Sequence, residues 1–483
     1  MKYLLPAIVI GLLFSPLLQA QGYRAIQGSS EAGALGVHNN PAAIVNTPFT
    51  WDVAVAGVQL TTSTNAFSIR NYSLLSNPAS SLYHVDDGQY KRSARLEFNV
   101  NLLNARISLS RKSAVAFGLV LRSNTNLSTS SYNYSDTLHN TGEFLKINQD
   151  LRILNGSLLS SSWLEGYLSY ARTIKDNEVS RLNAGFSLHA GRGLSGASAL
   201  INNVTLGQQV QNNQPVFSIN SADISYGYSG NYDHLQAGRS AGTNTNDFLN
   251  YTSGGASLDA GIEYLIKPQG IASFNDEEDY YGYDWKIGLS LLDLGANQYK
   301  YGQQSRTIKV NNTQITGRQL DNVFDSTVTT FSRFNDSLAT LVSLSSPGSQ
   351  FTVINPTRLV ANVDYYLTGN FFINAELSVN VPLSWLKKGS LQLKQLNLLT
   401  VTPRWERRRL GFYLPIQFNN RNQFWVGGAV KAGPLLFGVH NLVNLFGKTS
   451  VQNGGGYIAL VIRAFNGSSA KTDRRLNCPK PIW

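Results

Sequence analysis

The chain reads as all-β, a transmembrane antiparallel β-barrel of about fourteen strands with an N-terminal hatch or plug segment and long extracellular loops. Three observations predict this. An export signal precedes a chain that has no run of about eighteen apolar residues for a membrane helix. Short segments alternate apolar and polar residues with a period of two. The connections between them alternate between short and long.

The export signal comes first. Lys2 supplies a positive start, Tyr3 to Leu18 is almost wholly apolar, and Leu18-Gln19-Ala20 ends on a small residue suited to cleavage before Gln21. Polar Gly, Ser and Asn residues follow without a basic stop-transfer flank, so the stretch is expected to be cleaved near Ala20 rather than to anchor the protein. The lone Cys478 excludes an internal disulfide in any compartment. The net charge of +11 resembles a nucleic-acid footprint at first sight. Export removes that partner, and the basic residues are scattered or sit in turns. Outer-membrane lipid headgroups and lipopolysaccharide phosphates are the expected counter-charges, and no nucleic acid is expected.

The alternation is clearest from Phe371 to Val381. Phe371, Ile373, Ala375, Leu377, Val379 and Val381 form one apolar face, and Asn374, Glu376, Ser378 and Asn380 form the other. Leu359, Ala361, Val363, Tyr365 and Leu367 alternate before it, and Thr368-Gly369-Asn370 closes the hairpin. The signature recurs at Val115–Leu121 after the turn Arg111-Lys112-Ser113, at Leu182–Leu188 after Lys175-Asp176-Asn177, and at Leu258–Tyr264 and Trp285–Leu291 around a longer acidic turn. Further hairpins turn at Arg407-Arg408 and Ala432-Gly433-Pro434, with Trp51–Leu60 as first strand and Tyr457–Phe465 as last. Long connections fall at 64–92, 126–161, 194–254, 300–355 and 383–394, and the parity puts both termini in the periplasm. Segments 203–210 and 216–229 alternate too and read as a β-rich excursion within the third long loop. A soluble sandwich or propeller would also need apolar inner faces, but it leaves the turn-length alternation without a cause.

Before the first strand lies Ser29-Ser30-Glu31-Ala32-Gly33-Ala34-Leu35-Gly36-Val37-His38-Asn39-Asn40-Pro41-Ala42. A small-residue stretch, then Asn-Pro-Ala, then a strand resembles the N-terminal hatch of the long-chain fatty-acid transporter superfamily (FadL-type), which implies a fourteen-stranded barrel. Asn77-Pro78-Ala79 repeats the tripeptide in a loop without that context. Trp285–Gly295, Thr402-Pro403-Arg404 with Tyr413-Leu414-Pro415, and Lys431-Ala432-Gly433-Pro434-Leu435 resemble a narrower group, outer-membrane barrels of Bacteroidota-type bacteria that carry a domain of unknown function. That resemblance implies location and fold and no activity. The expected organisation is a signal peptide over 1–20, a hatch over 21–48 with Asn40, Pro41 and Ala42 at its heart, a barrel over 49–465, and a periplasmic tail over 466–483.

With apolar faces toward lipid, the lumen receives Glu97, Arg106, Arg122, Arg181, Asp259, Glu263, Arg358, Asp364, Glu376 and Arg404, together with His189 and Lys286. Facing lipid at mid-depth, each Arg or Lys would cost ~2–4 kcal/mol, so inward placement is nearly forced. Mixed signs predict a polar network that fills the lumen and braces the hatch; a selective polar pore is the alternative. Phe67–Leu75, Leu158–Leu164 and Phe331–Leu344 are apolar segments assigned to outer loops, where they either capture a small hydrophobic ligand or pack on themselves. Asp276-Glu277-Glu278-Asp279 lacks the spacing of a calcium loop and reads as a solvated turn. The histidines at 38, 84, 139, 189, 234 and 440 have no metal-ligand spacing, and nothing places a nucleophile beside a base, so neither a metal, a cofactor nor catalysis is expected. Two functions remain. One is passive uptake of a small hydrophobic molecule gated by the hatch. The other is a sealed barrel whose loops or basic tail dock a periplasmic or surface protein partner.

Overall fold

A computed structural model describes residues 23–465 apart from 72, 74–80, 212, 268–282, 325–327, 384–390 and 448–449. The export signal, the tail with Cys478, the acidic run 276–279 and Asn77-Pro78-Ala79 lie outside the described residues.

Inside lipid no water can satisfy a free backbone N–H or C=O, so a sheet that spans must close on itself. Fourteen antiparallel strands do so here. They are β1 (Phe49–Thr64), β2 (Gly88–Ser110), β3 (Ser113–Tyr134), β4 (Leu154–Asp176), β5 (Ser180–Gln211), β6 (Ser253–Ile266) and β7 (Trp285–Lys300). There follow β8 (Arg358–Thr368), β9 (Phe371–Asn380), β10 (Leu398–Glu406), β11 (Leu410–Tyr413 continued by Ile416–Asn419) and β12 (Phe424–Val426 continued by Gly428–Ala432). Then come β13 (Leu435–Val439) and β14 (Asn453–Phe465). The ring closes where β1 pairs with β14 from Phe49↔Phe465 to Ser63↔Asn453.

Side chains sort by parity around the ring. On β9, Phe371 and Leu377 are 52% and 46% exposed on the lipid side, while Asn374 and Glu376 are 1% and 3% exposed on the lumen side. Leu168, Phe186, Leu188, Ile262 and Ile287 join the outer face of neighbouring strands. The expected polarity is thus the observed one, inverted relative to a soluble protein.

The strands run further than apolar alternation reveals. β3 continues to Tyr134 and β4 starts at Leu154, so the expected loop 126–161 shrinks to 135–153. The extensions are rich in Ser, Thr and Asn, as in Asn124–Ser131, because they rise beyond the lipid and need no apolar face. In the third long connection β5 runs on to Gln211, turns back as Gln214–Tyr228, and gains Arg306–Thr316 from the next long connection as a further neighbour. This is the expected β-rich excursion. Leu158–Leu164 is corrected from an outer loop to part of β4, with Leu159 and Trp163 turned inward. Phe331–Leu344 forms the helix Phe331–Ala339 and a short strand; Leu338 buries in an apolar core with Val204, Ile308, Val310 and Ile315. That segment packs on its own subdomain. Ser68–Arg70 of the third apolar segment pairs with Leu82–His84.

Leu377→Arg places a guanidinium on the lipid face of β9, and refolding equilibria in bilayers should show a loss of ~2–4 kcal/mol if the site lies near mid-depth. An effect within a few tenths of a kcal/mol would place Leu377 out of contact with lipid.

Candidate functional site: the filled lumen

The N-terminal segment threads the barrel as three short 3-10 helices, Arg24–Ile26, Ser30–His38 and Pro41–Val45. Asn40-Pro41-Ala42 is the start signal of the third. The Asn40 Oδ1 accepts the Ala42 N–H at 2.9 Å, and Pro41 occupies the first helical position, where a missing N–H costs nothing. The same Asn40 side chain donates from Nδ2 to the Ile262 carbonyl of β6 at 2.9 Å, so one residue both caps the helix and docks it.

The wall is shaped to receive this tripeptide. Gly185 of β5 and Gly261 of β6 face each other in register. A Cβ on Gly185 would come within 2.8 Å of the Pro41 and Ala42 backbone, and one on Gly261 within 2.1 Å of the Asn40 Oδ1. Only glycine permits so close an approach of two backbones.

Charged residues on the strands then clasp the segment along its length. Arg106 donates to the carbonyls of Ile44 at 2.6 Å and Phe49 at 2.7 Å, with Asp52 at 3.7 Å, and Asp52 also accepts the Ala34 N–H. Arg358 donates to the His38 carbonyl at 3.1 Å, Ser290 to the Asn39 carbonyl at 2.6 Å, and the Asn39 side chain to Glu376 at 2.8 Å. Arg404 forms a two-pronged pair with Asp364 and reaches Glu406 at 3.1 Å; Glu406 accepts from Ser29 at 2.6 Å. Lys431 pairs with Glu31 at 2.8 Å, and Lys286 donates to Ser30 at 3.2 Å. Burial raises the Glu31 carboxyl, and Lys431 pulls against that shift. Burial, aided by the charges of His189 and Arg122, pushes the His38 ring down to about 3, so it stays neutral at physiological pH.

A second cluster sits beyond the segment. Arg122 pairs with Asp293 and reaches Glu165 at 3.2 Å; His189 lies 3.0 Å from Asp259 and 3.5 Å from Glu165. Between cluster and segment remains a cavity of about 100 Å³, lined by Arg24, Glu97, Arg122, His189, Asp293 and Arg358. Above it, Trp163 donates to Glu165 at 2.6 Å and starts an apolar layer with Leu159, Tyr299, Phe351, Val353 and Leu393. A polar chamber under an aromatic ceiling results.

Of the ten expected lumen residues, Arg106, Arg358 and Glu376 bond the segment directly, and Asp364 and Arg404 brace a residue that does. Arg122 and Asp259 belong to the second cluster, Glu263 accepts from Asn183 at 3.1 Å, and Glu97 lies in the fields of Arg24, Arg358 and Arg95. Arg181 departs from the group, since it pairs with Asp176 at 3.3 Å at the short-turn rim. Sequence reasoning missed Glu165, Asp293, Glu406, Lys431 and Asp52. Parity on β4 exposes Glu165 once Leu164 and Leu168 are set outward. Asp293 escapes parity because a β-bulge between Leu291 and Leu294, with a φ of +60° at Asp293, switches its face. Glu406 and Lys431 adjoin the turns Arg407-Arg408 and Ala432-Gly433-Pro434, which masks their strand character.

A family of unknown function, DUF5723, matches residues 41–440. No curated protein matches the chain. Among solved structures the chain is similar to the Ralstonia pickettii toluene transporter TbuX, at 12% identity over 92% of this chain and 96% of that one, with a TM-score of 0.42. It is also similar to the P. putida toluene transporter TodX, at 9% identity over 89% and 92%, with a TM-score of 0.38. A Pseudomonas aeruginosa FadL homologue gives 8% identity over 92% and 98%, with a TM-score of 0.28.

Gly185→Leu should overpack the contact with Pro41 and Ala42 at a cost of roughly 1–3 kcal/mol. Amide exchange across residues 40–45 is then expected to rise by about tenfold or more, whereas Gly254→Ala, whose added Cβ has its nearest neighbour at 3.9 Å, leaves it unchanged. Equal protection in both variants would mean that the glycine path does not hold the segment.

Proposed function

We propose a function from the premise that the chain belongs to the DUF5723 family: it is an outer-membrane channel for passive uptake of a small hydrophobic molecule, with residues 21–48 as a hatch that gates passage. The observation that carries this reading is how the lumen is filled. The segment is held by separate hydrogen bonds and ion pairs to many strands, and a small cavity already separates it from the upper cluster. Each clasp is a separate polar contact with a modest net strength of about 0.5–1.5 kcal/mol where water can take the partner's place, so opening would proceed clasp by clasp. On the long-loop side the aromatic layer of Trp163, Tyr299 and Phe351 offers an apolar solute its first contact inside the wall. Lipid and lipopolysaccharide surround the outer face, with the export signal directing the chain there.

A second reading has its own support. The long-loop end carries a subdomain with its own apolar core, built from Gln214–Tyr228, Arg306–Thr316 and the helices Thr141–Ile147, Gly317–Val323 and Phe331–Ala339. Such a platform suits a protein partner at the cell surface, with the barrel as sealed support.

Reconstitution in liposomes separates the two. Uptake predicts entry of a small aromatic solute through the intact protein, and a large rise in flux when residues 21–47 are deleted. If neither protein conducts and mild-detergent purification returns a stoichiometric protein partner, the sealed-platform reading stands and uptake falls.

A further inference from the structure

On the long-loop side of the lumen, two guanidiniums are poorly matched by carboxylates among the described residues. Arg24 and Arg358 lie in the fields of Glu97 and Glu376, and Glu97 also faces Arg95 and Arg122. Arg122 has Asp293 and Glu165 of its own, but among the described residues Arg95 has only its share of Glu97. Arg421, in the short turn 420–423 between β11 and β12, stands at the same end of the barrel: Gln423 of that turn donates to the Gln452 side chain at 3.3 Å, and the Gln452 carbonyl accepts from the Thr64 N–H at 2.8 Å, next to Ser63. Burial, with the like charge of Arg95 as the one charge acting on Arg421 among the described residues, pushes its guanidinium down to about 10, still cationic at neutral pH.

Unpaired polar groups flank Arg95. Arg95 of β2 stands in register with Ser63 of β1 and Asn126 of β3. Two residues deeper, Thr61 and Asn124 flank Glu97 in the same way. Among the described residues, Arg95 Nη1, Arg421 Nη1, Ser63 Oγ, Thr61 Oγ1, Asn126 Nδ2 and both polar atoms of Asn124 are buried without a hydrogen-bond partner. Buried polar groups in native proteins are nearly all satisfied, so a contiguous patch of free polar groups, mostly donors, on three adjacent strands marks a place built for something else to bond. Two cations held within each other's field add the requirement that the guest be negative. Guanidinium, amide and hydroxyl donors together match an oxygen-rich anion, to which arginine presents a planar fork.

We propose that Arg95 and Arg421, with Ser63, Asn124 and Asn126, form an oxyanion-binding site at the long-loop mouth of the lumen, which takes a phosphate group. The group has two possible bearers, a free solute entering the lumen or a lipopolysaccharide phosphate reaching over the rim. A phosphate-bearing solute would be a second cargo beside the hydrophobic molecule of the uptake reading; the site itself rests on neither.

The test uses the full-length protein in neutral-lipid nanodiscs, titrated calorimetrically with inorganic phosphate at constant ionic strength, chloride replacing phosphate in the control. Wild type is expected to bind phosphate saturably. The pair Arg95→Gln with Arg421→Gln should weaken binding by about tenfold or more, while Arg95→Lys with Arg421→Lys keeps charge and much of the affinity. The lysine pair also guards against simple misfolding of the glutamine pair. Nanodiscs that contain lipopolysaccharide identify the bearer: phosphate binding lost there assigns the site to lipid phosphate, and binding retained assigns it to a free solute. Absence of saturable phosphate binding by wild type, or equal binding by wild type and the glutamine pair, overturns the proposal. Solute flux is a separate measurement, so failure of uptake leaves this result readable.

Discussion

Everything in this molecule depends on the requirement that no backbone hydrogen bond be left open toward lipid. The pairing of β1 with β14 meets it by joining the first and last strands into one ladder. Once the ring is closed, each strand has a face toward hydrocarbon and a face toward the lumen, and the period of two assigns every side chain to one of them. The charged residues have nowhere to go but inward. A wall built in this way creates a polar interior as a by-product, and that interior must in turn be satisfied.

The N-terminal segment answers that second requirement. Separating buried charges from water costs several kcal/mol per ion unless excellent partners replace it. Arg106 finds carbonyls at Ile44 and Phe49, Arg358 finds one at His38, and Lys431 finds the carboxylate of Glu31. Small residues in Ser29–Val37 let the segment's backbone come close enough to serve as the partner. Gly185 and Gly261 remove the last obstruction on the wall. Segment and lumen are therefore complementary in hydrogen bonding more than in apolar packing.

Much of the barrel was legible because lipid enforces hydrophobicity on alternate residues. Phe371–Asn380 shows its face in the sequence alone, and the turns at Gly369-Asn370 and Gly433-Pro434 punctuate it. Legibility ended where lipid ended. Asn124–Ser131 and the far part of β5 form strands without an apolar face, so the pattern carries no signal, and Leu158–Leu164 was misplaced for the same reason. At the site, Arg106, Arg358 and Glu376 followed from parity, whereas Asp293 needed knowledge of a bulge that no local residue announces. Asn40-Pro41-Ala42 was visible as a tripeptide, but its partners Gly185 and Gly261 are distant in sequence and glycine carries no pattern of its own. Arg95 and Arg421 were hidden by distance along the chain: their proximity depends on the ring bringing β2 and the β11–β12 turn to the same end.

The sorting of side chains by parity can be read directly with spin labels placed one at a time from residue 371 to 380 in protein reconstituted in bilayers. Collision with oxygen, which concentrates in hydrocarbon, should be high at 371, 373, 375, 377 and 379 and low at the positions between. A profile without that two-residue oscillation, or one with its maxima at 374, 376 and 378, would contradict a lipid-facing apolar wall around a polar, filled lumen.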